Sequence, residues 1–536
     1  MSNFDLPIIR ADAHPEFNDA AGCAEWLQSL PLINVGPSHG RLLGEIEQLN
    51  CFNVPIAERI KILELLREPI LFVQGEHSKK FASRAVPFTR PEREIFSNVL
   101  ALWDALAYGW QHCLHALGAD APGLSAQAAL ICERSLWCVG QKIAEHYRAY
   151  QQVRADEWRR AHRIYHYAES RGVSGETVPH AACKPDADTT CAGTYAHILL
   201  LALANPNEHT PRQQMHVARW LDRWARKVSI ARDAAAGPGI APLSVDLESG
   251  AGASRETKTG SSIRFLELDE VAKSVKKRLA LLRSGQSPES LGLGIDVPPG
   301  LAAQMLGMLY QQWCEGKSAR HPSRRPASRD AQLCPGLPAI HYYVTGKPFR
   351  QPSAAAVELT KRQREEIATF GRTSVRAEDS YVAAQVAALE NWNITEESLA
   401  GMRLERAVNA GPARFMHQQL VAVRPADARS FMLAAVRSLS VTESEVLQLG
   451  TRLLPGVPQG VAVRPTGVNV SSEKFIPALA LPAVPALQTP ATLLLPMGWY
   501  RPKRVIEVHT DRMEKLLLSG VVERGNDYER CTFEPA

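Results

Sequence analysis

Residues 371–406 read GRTSVRAEDSYVAAQVAALENWNITEESLAGMRLER, and the character of the chain changes inside them. Ahead of this stretch apolar residues recur at threes and fours, as on one face of a helix. Beyond it they alternate, as in a half-buried strand. The switch predicts an α+β multidomain protein: an all-α N-terminal region, then a small antiparallel β-barrel with an appended C-terminal sheet. The stretch also carries chemistry. Arg372-x-x-x-Arg376 offers two guanidinium groups, each able to fork two hydrogen bonds to phosphate oxygens or to stack on a flat base. Further on, Glu396-x-Ser398-x-x-Gly401 offers a carboxylate, a hydroxyl and a glycine where backbone must turn or approach closely. The plainer reading is an exposed loop whose arginines pair with Glu378 and Asp379, and a hairpin turn shaped by Ser398 and Gly401.

Strand candidates after Arg376 are Tyr381–Ile394, Met402–Arg406, Gln418–Arg424, Phe431–Leu439, Val446–Leu453 and Val461–Arg464, separated by turn signals such as Arg424-Pro-Ala-Asp. Residues 491–495, 503–509, 513–522 and 528–533 add strands to an appended sheet or incomplete second barrel. Working toward the N-terminus, residues 359–370 read as a charged helix and Cys334–Gly346 as a short strand or helix turn. SARHPSRRPASRD (318–330), basic and proline-punctuated, reads as an exposed loop. Helical period dominates earlier: Asn53-Val54-Pro55 and Pro91 open helices, Thr194–Ala204 is apolar nearly all round, and Leu268, Val271, Val275, Leu279 and Leu282 mark a later helix closed by Gly285. The resulting division is a lead-in at 1–20, an all-α domain at 21–233 and a Gly/Ser/Pro-rich linker, or two edge strands with a flexible tip, at 234–262. A helical connector at 263–370, a barrel at 371–470 and an appended β segment at 471–536 follow.

At 536 residues the chain exceeds a single core. Its 61 basic and 56 acidic residues leave only +5, which argues against a broad nucleic-acid surface with its concentrated basic face. From residue 351 onward there are 21 basic and 20 acidic residues, so any anion site in the barrel must be local. The ten cysteines are scattered without a C-x-x-C, the start lacks the pattern of a signal peptide, and the most apolar run, Phe475–Leu495, is broken by Pro477, Pro482, Pro485 and Pro490. A cytoplasmic protein without disulfides, metal or membrane insertion is expected.

No G-x-x-x-x-G-K-[ST], G-x-S-x-G or H-E-x-x-H occurs, so no enzyme signature is present and no catalytic residue is assigned. His180, Cys183, Cys191 and His197 fall within eighteen positions and are the one metal candidate. Their spacing matches no zinc module, and two loop thiols with a core histidine is the favoured reading. His162 and His166, at i and i+4 among arginines, read as a solvated helix face.

The paired motifs around residue 376 resemble those of the PilZ domain, the bacterial β-barrel receptor for cyclic di-GMP, marked by R-x-x-x-R and [DN]-x-S-x-x-G. The resemblance extends to a group of long proteobacterial forms in which a helical region precedes the barrel: WNITEESLAGMRL (392–404) is similar to that group's W-x-[VI]-x-[DN]-E-S-x-x-G-x-R-L, and GLPAIHYYVTGKPF (336–349) to a segment ahead of its barrel. The resemblance implies that Arg372 and Arg376 clamp guanine and phosphate, that Glu396 and Ser398 contact base or phosphate, and that Gly401 keeps the strand edge clear. Glu396 stands where the family has Asp or Asn, and is one methylene longer than Asp. The implied function is a cyclic di-GMP effector that couples binding at a PilZ-like barrel to a protein partner, in motility, pili or biofilm formation. The alternative is a ligand-free docking protein. No cofactor is implied.

Overall fold

The computed structural model describes residues 6–119, 121, 123–182, 188–234, 243–256, 258–315, 324–352, 389–466 and 474–536. Two compact units result, Met1–Arg84 with Phe88–His321, and Ala85–Pro87 with Pro322–Ala536.

The first unit is helical. Its helices are α1 (Ala20–Gln28), α2 (Val35–Asn50), α3 (Ile56–Ser78), α4 (Arg90–Gly118), α5 (Ala128–Arg148), α6 (Ala155–Ser170), α7 (Cys191–Leu203), α8 (Pro211–Trp224), α9 (Asp269–Arg283) and α10 (Pro299–Tyr310). The prolines act as expected: Pro55 stands just ahead of α3, and Pro91 lies in the first turn of α4, where a missing N–H loses no helical bond. α7 carries the apolar run and is buried on most of its face, including Tyr195, Leu199 and Leu200. Trp313 lies edge-on to Trp224 and donates its indole N–H to the Leu200 carbonyl at 3.1 Å. Ion pairs also reach the interior: Arg134, with no exposed side-chain surface, joins Glu133 and Glu64.

This region is not purely α. It holds a two-residue pair, β1 (Val178–Pro179) with β2 (Asp188–Thr189), and an antiparallel sheet of β3 (Ser229–Ala231), β4 (Leu243–Asp246) and β5 (Ile263–Glu267) in the order β3-β5-β4. The reading of 234–262 as two edge strands is the one that β4 and the start of β5, at Ile263, match, whereas β1, β2 and β3, of two or three residues, are too short to set up a period of two. Among the described residues no helix is long and apolar enough to cross a membrane.

The second unit contains two closed antiparallel barrels of six strands each. The first comprises β6 (Arg325–Pro335), β7 (Glu390–Ser398), β8 (Gly401–Ala407), β9 (Leu420–Pro425), β10 (Met432–Val441) and β11 (Val446–Leu453), closing in the order β10-β11-β8-β7-β6-β9. The second comprises β12 (Gln459–Pro465), β13 (Ile476–Leu481), β14 (Thr492–Pro496), β15 (Val505–His509), β16 (Met513–Arg524) and β17 (Tyr528–Pro535), closing in the order β12-β13-β14-β17-β16-β15.

Two expectations about the strands of the first barrel are corrected by the structure, and the appended C-terminal sheet is completed by it. The opening strand of the first barrel is β6, drawn from the stretch read as an exposed basic loop within the helical connector. Val461–Arg464, taken as the sixth strand of the first barrel, lies in β12 of the second. The appended sheet closes on itself. Of the candidate strand Tyr381–Ile394, residues 381–388 lie outside the described residues, Leu389 precedes β7 and residues 390–394 fall in it. β6 was hidden by its composition. Its first half, RPASRD, presents no buried apolar residue, and only Ala331, Leu333 and Cys334 in its second half enter the core.

Inside the first barrel Trp392 is nearly fully buried, edge-on to Phe415 and beneath the Arg406 guanidinium. The two barrels share a core. Helix α11 (Leu337–Thr345) packs Ile340 into a cluster containing Cys334, Leu420, Phe431 and Leu433 of the first barrel region with Leu479, Leu481, Leu494 and Tyr528 of the second. Polar contacts reinforce the junction: the Leu420 N–H donates to Asp527 at 2.8 Å and the Asn526 N–H to the Gln418 carbonyl at 2.8 Å.

Candidate functional site

Glu396, Ser398 and Gly401 come together on the β7–β8 hairpin. Ser398 pairs directly with Gly401, leaving Leu399-Ala400 as the turn. The Ser398 hydroxyl donates to the Gly401 carbonyl at 3.2 Å and accepts the Ala400 N–H at 3.3 Å, so it closes the turn locally. Gly401 is fixed by close approach rather than by a left-handed backbone. A Cβ there would fall 1.8 Å from the Thr451 carbonyl oxygen on β11, far inside any real contact. Thr451 adds a side-chain bond to the Met402 carbonyl at 3.0 Å, and the Leu453 N–H reaches the Ala400 carbonyl at 2.9 Å. The hairpin tip is thus stitched to β11.

A bulge between Ile394 and Glu396 puts Glu396 opposite Arg403 of β8. Its carboxylate meets Arg403 at 3.1 Å and Arg324, just ahead of β6, at 3.3 Å. All three side chains are between about a third and just over half exposed, so the cluster faces solvent.

The neighbouring strand supplies arginines that the sequence reading missed. β6 pairs with β7 so that Arg325 stands opposite Glu397 and Pro326 opposite Glu396, with a second bulge between Pro326 and Arg329. Arg325-Pro-Ala-Ser-Arg329 has the same R-x-x-x-R spacing as Arg372-x-x-x-Arg376. Arg329 pairs with Glu397 and with Asp427, the latter at 2.6 Å. Arg325 is exposed and makes no ion pair among the described residues. The spacing itself was the available signal. Arg372 and Arg376 lie outside the described residues.

The other sequence candidates stand apart. His162 is buried, between the Ala251 carbonyl at 2.9 Å and the Tyr195 hydroxyl at 2.6 Å, and burial pushes its imidazole down to about 4. It therefore belongs to the core, not to a solvated face. His197 stands 3.6 Å from Asp222, the His180 ring accepts the Ala182 N–H, and burial raises the Cys191 thiol well above its ordinary value. Cys183 lies outside the described residues; among those described, no three His, Cys, Asp or Glu side chains converge as a metal site would require.

Comparison with known proteins bears on both ends of the chain. Residues 20–235 match the family model described as the N-terminal domain of the cyclic-di-GMP receptor FimW, and residues 461–536 match that of the FimW C-terminal β-barrel domain. By both domains the chain belongs to the FimW family. The cyclic-di-GMP receptor FimW of Pseudomonas aeruginosa is 23% identical over 531 aligned residues, which cover 88% of this chain and 83% of that relative. The FimW N-terminal match begins with α1 and ends just beyond β3, and the FimW C-terminal match begins inside β12 and takes in the rest of the second barrel. Neither FimW segment includes the first barrel, where the Glu396 cluster lies.

Proposed function

We propose that the first barrel is a PilZ-like receptor domain for cyclic di-GMP, and that the ligand binds where β6, β7 and β8 bring arginines to the Glu396–Gly401 hairpin. One observation carries the reading: an R-x-x-x-R, Arg325 to Arg329, stands in register beside Glu396-x-Ser398-x-x-Gly401. The name of the Pseudomonas relative, a cyclic-di-GMP receptor aligned along most of this chain, supports the same ligand. By position, Arg325 and Arg329 are the proposed clamp. Arg372 and Arg376, ahead of β7 in sequence, are the pair against which it is tested.

Binding proceeds by exchange of partners. Without ligand, Glu396 holds Arg324 and Arg403, while Glu397 and Asp427 hold Arg329. Exposed pairs of this kind contribute about 0–1 kcal/mol each. Charge-assisted hydrogen bonds to phosphodiester oxygens contribute about 1.5–3 kcal/mol. Two phosphodiesters therefore outcompete the carboxylates, and the released Glu396 changes the charge that the barrel presents to a protein partner. The chain acts in this reading as a cytoplasmic receptor rather than an enzyme.

The second reading, a ligand-free docking module, rests on the same pairing: Glu396 is already neutralised by two arginines. Calorimetric titration with cyclic di-GMP separates the two. A saturable heat for the wild type, lost in Arg325→Ala/Arg329→Ala and kept in Arg372→Ala/Arg376→Ala, supports the proposed clamp. The converse pattern moves the clamp to 372 and 376, and no heat at high micromolar ligand leaves the docking module.

A further inference from the structure

The helical unit has a cleft of its own, of about 670 Å3, bounded by α6, the end of β3, the turn after β4 and the start of β5. Helix α6 lines it with one face: Asp156, Arg159, Arg163 and His166 stand at i, i+3, i+7 and i+10. Arg232, just past β3, and Arg264 of β5 complete the cationic lining. Two carboxylates, Asp156 and Glu248, share the lining with the arginines, and Asp156 is engaged by Arg154 at 3.2 Å.

The back of the cleft is built to stay in place. Arg264 is 3% exposed, and Glu169 grips it at two points, 2.7 and 2.6 Å. The same guanidinium donates to the Ser261 and Ile263 carbonyls at 2.8 Å, which fixes the strand start bearing Ser261 and Ser262. Arg232 reaches Glu169 at 3.5 Å. Arg159, by contrast, is exposed and makes no hydrogen bond or ion pair among the described residues. One acid thus serves two arginines while a third points its charge into solvent, and the space between is large enough for a small ligand.

We infer that this cleft binds a small organic phosphate of nucleotide size. Arg159 and Arg163 lie one turn apart on α6, with Cβ atoms about 5–6 Å from each other as at any i, i+4 pair, so they can fork one phosphate group or two adjacent ones. Arg232 faces them from the sheet side, and Ser261 lies in the same lining, while the Ser262 hydroxyl is held by Asp246. Leu247 is the one apolar side chain of the lining, too little to select a hydrophobic ligand. Several guanidiniums around one volume exceed what a single carboxylate needs and suit the multiple charges of a phosphate.

The inference stands independently of the barrel reading. GMP, pyrophosphate and citrate are titrated calorimetrically into the full chain, the Arg159→Ala/Arg232→Ala variant and the Arg325→Ala/Arg329→Ala variant, with unfolding curves recorded for each. The expected result is saturable binding of GMP or pyrophosphate to the wild type, weakened about tenfold or more by Arg159→Ala/Arg232→Ala. The barrel variant should bind them as the wild type does. Absence of binding at low millimolar concentration overturns the inference, as does binding lost only in the barrel variant. Citrate bound as tightly as pyrophosphate overturns the assignment to phosphate. Should the cleft variant melt early, Arg159→Gln, which alters only an exposed side chain, replaces it and must itself weaken binding.

Discussion

The guanidinium of Arg406 meets the carboxylate of Glu390 at 3.0 Å inside the first barrel, where the two side chains are 2% and 3% exposed. The pair organises the connection between β8 and β9. Arg406 donates to the Ala407, Val408 and Ala413 carbonyls at 2.8–3.0 Å, and Glu390 accepts the Ala413 N–H at 2.7 Å. Removing one partner leaves a buried, uncompensated charge. Arg406→Ala is expected to lower unfolding free energy by about 3–5 kcal/mol in urea titrations. Arg406→Lys should recover only part of this, because an ammonium lacks the planar fork that spans three carbonyls. A stability within 1 kcal/mol of wild type for Arg406→Ala would show that the pair carries no such role.

Gly401→Ala tests the contact with Thr451. The added methyl cannot occupy a point 1.8 Å from a carbonyl oxygen, so the hairpin must lift from β11. A loss of about 1–3 kcal/mol is expected by thermal or chemical unfolding. Ala400→Gly, in the exposed turn next to it, should be far milder. Equal stabilities for the two variants would contradict the close packing.

Glu396 tests the exchange of partners. Glu396→Gln removes the negative charge that holds Arg324 and Arg403, and should tighten cyclic di-GMP binding by up to about tenfold. Glu396→Asp should bind equally or more tightly. If both substitutions weaken binding in calorimetry, the carboxylate contacts the ligand directly and does not compete with it.

Asp527 gives a pH dependence. Burial pushes its carboxyl up to about 6, despite the N–H that Leu420 donates to it. A carboxyl raised above its unfolded value of about 4 favours folding most when protonated, below that value. Its contribution is lost as pH rises toward about 6, and is flat above. Asp527→Asn keeps an acceptor for Leu420 without the charge. It should flatten the melting-temperature profile between about pH 4 and 6 and raise stability at pH 7. Superimposable profiles for the two proteins would exclude Asp527 as the titrating group.

Pattern reading recovered the strands whose inner and outer faces differ. Val446–Leu453 was delimited to the residue, and Met402–Arg406 fell one short at each end of β8, because buried Met402, Leu404 and Arg406 alternate with more open neighbours. It failed at β6, where charge and proline mask the alternation, and at β1, β2 and β3 of the helical unit, which are only two or three residues long. For the candidate site, the hairpin residues were legible because their spacing is local. The contact between Glu396 and Arg324 crosses 72 positions, and only the barrel's closure brings the two together. His162 was misjudged because two arginines flank it, although its own face of α6 turns inward to Tyr195.

The position of β6 has a consequence for synthesis. Its first partner, β7, opens at Glu390, fifty-five positions after β6 ends at Pro335, and its other partner, β9, opens only at Leu420. At ribosomal rates of about 5–20 residues per second, β6 waits several seconds with both edges unpaired. An unpaired apolar edge is a template for aggregation, and charge or proline on the edge is the usual protection. Arg324, Arg325, Pro326, Arg329 and Asp330 supply it here. The composition that disguises the strand also lets the nascent chain carry it safely until the barrel can close.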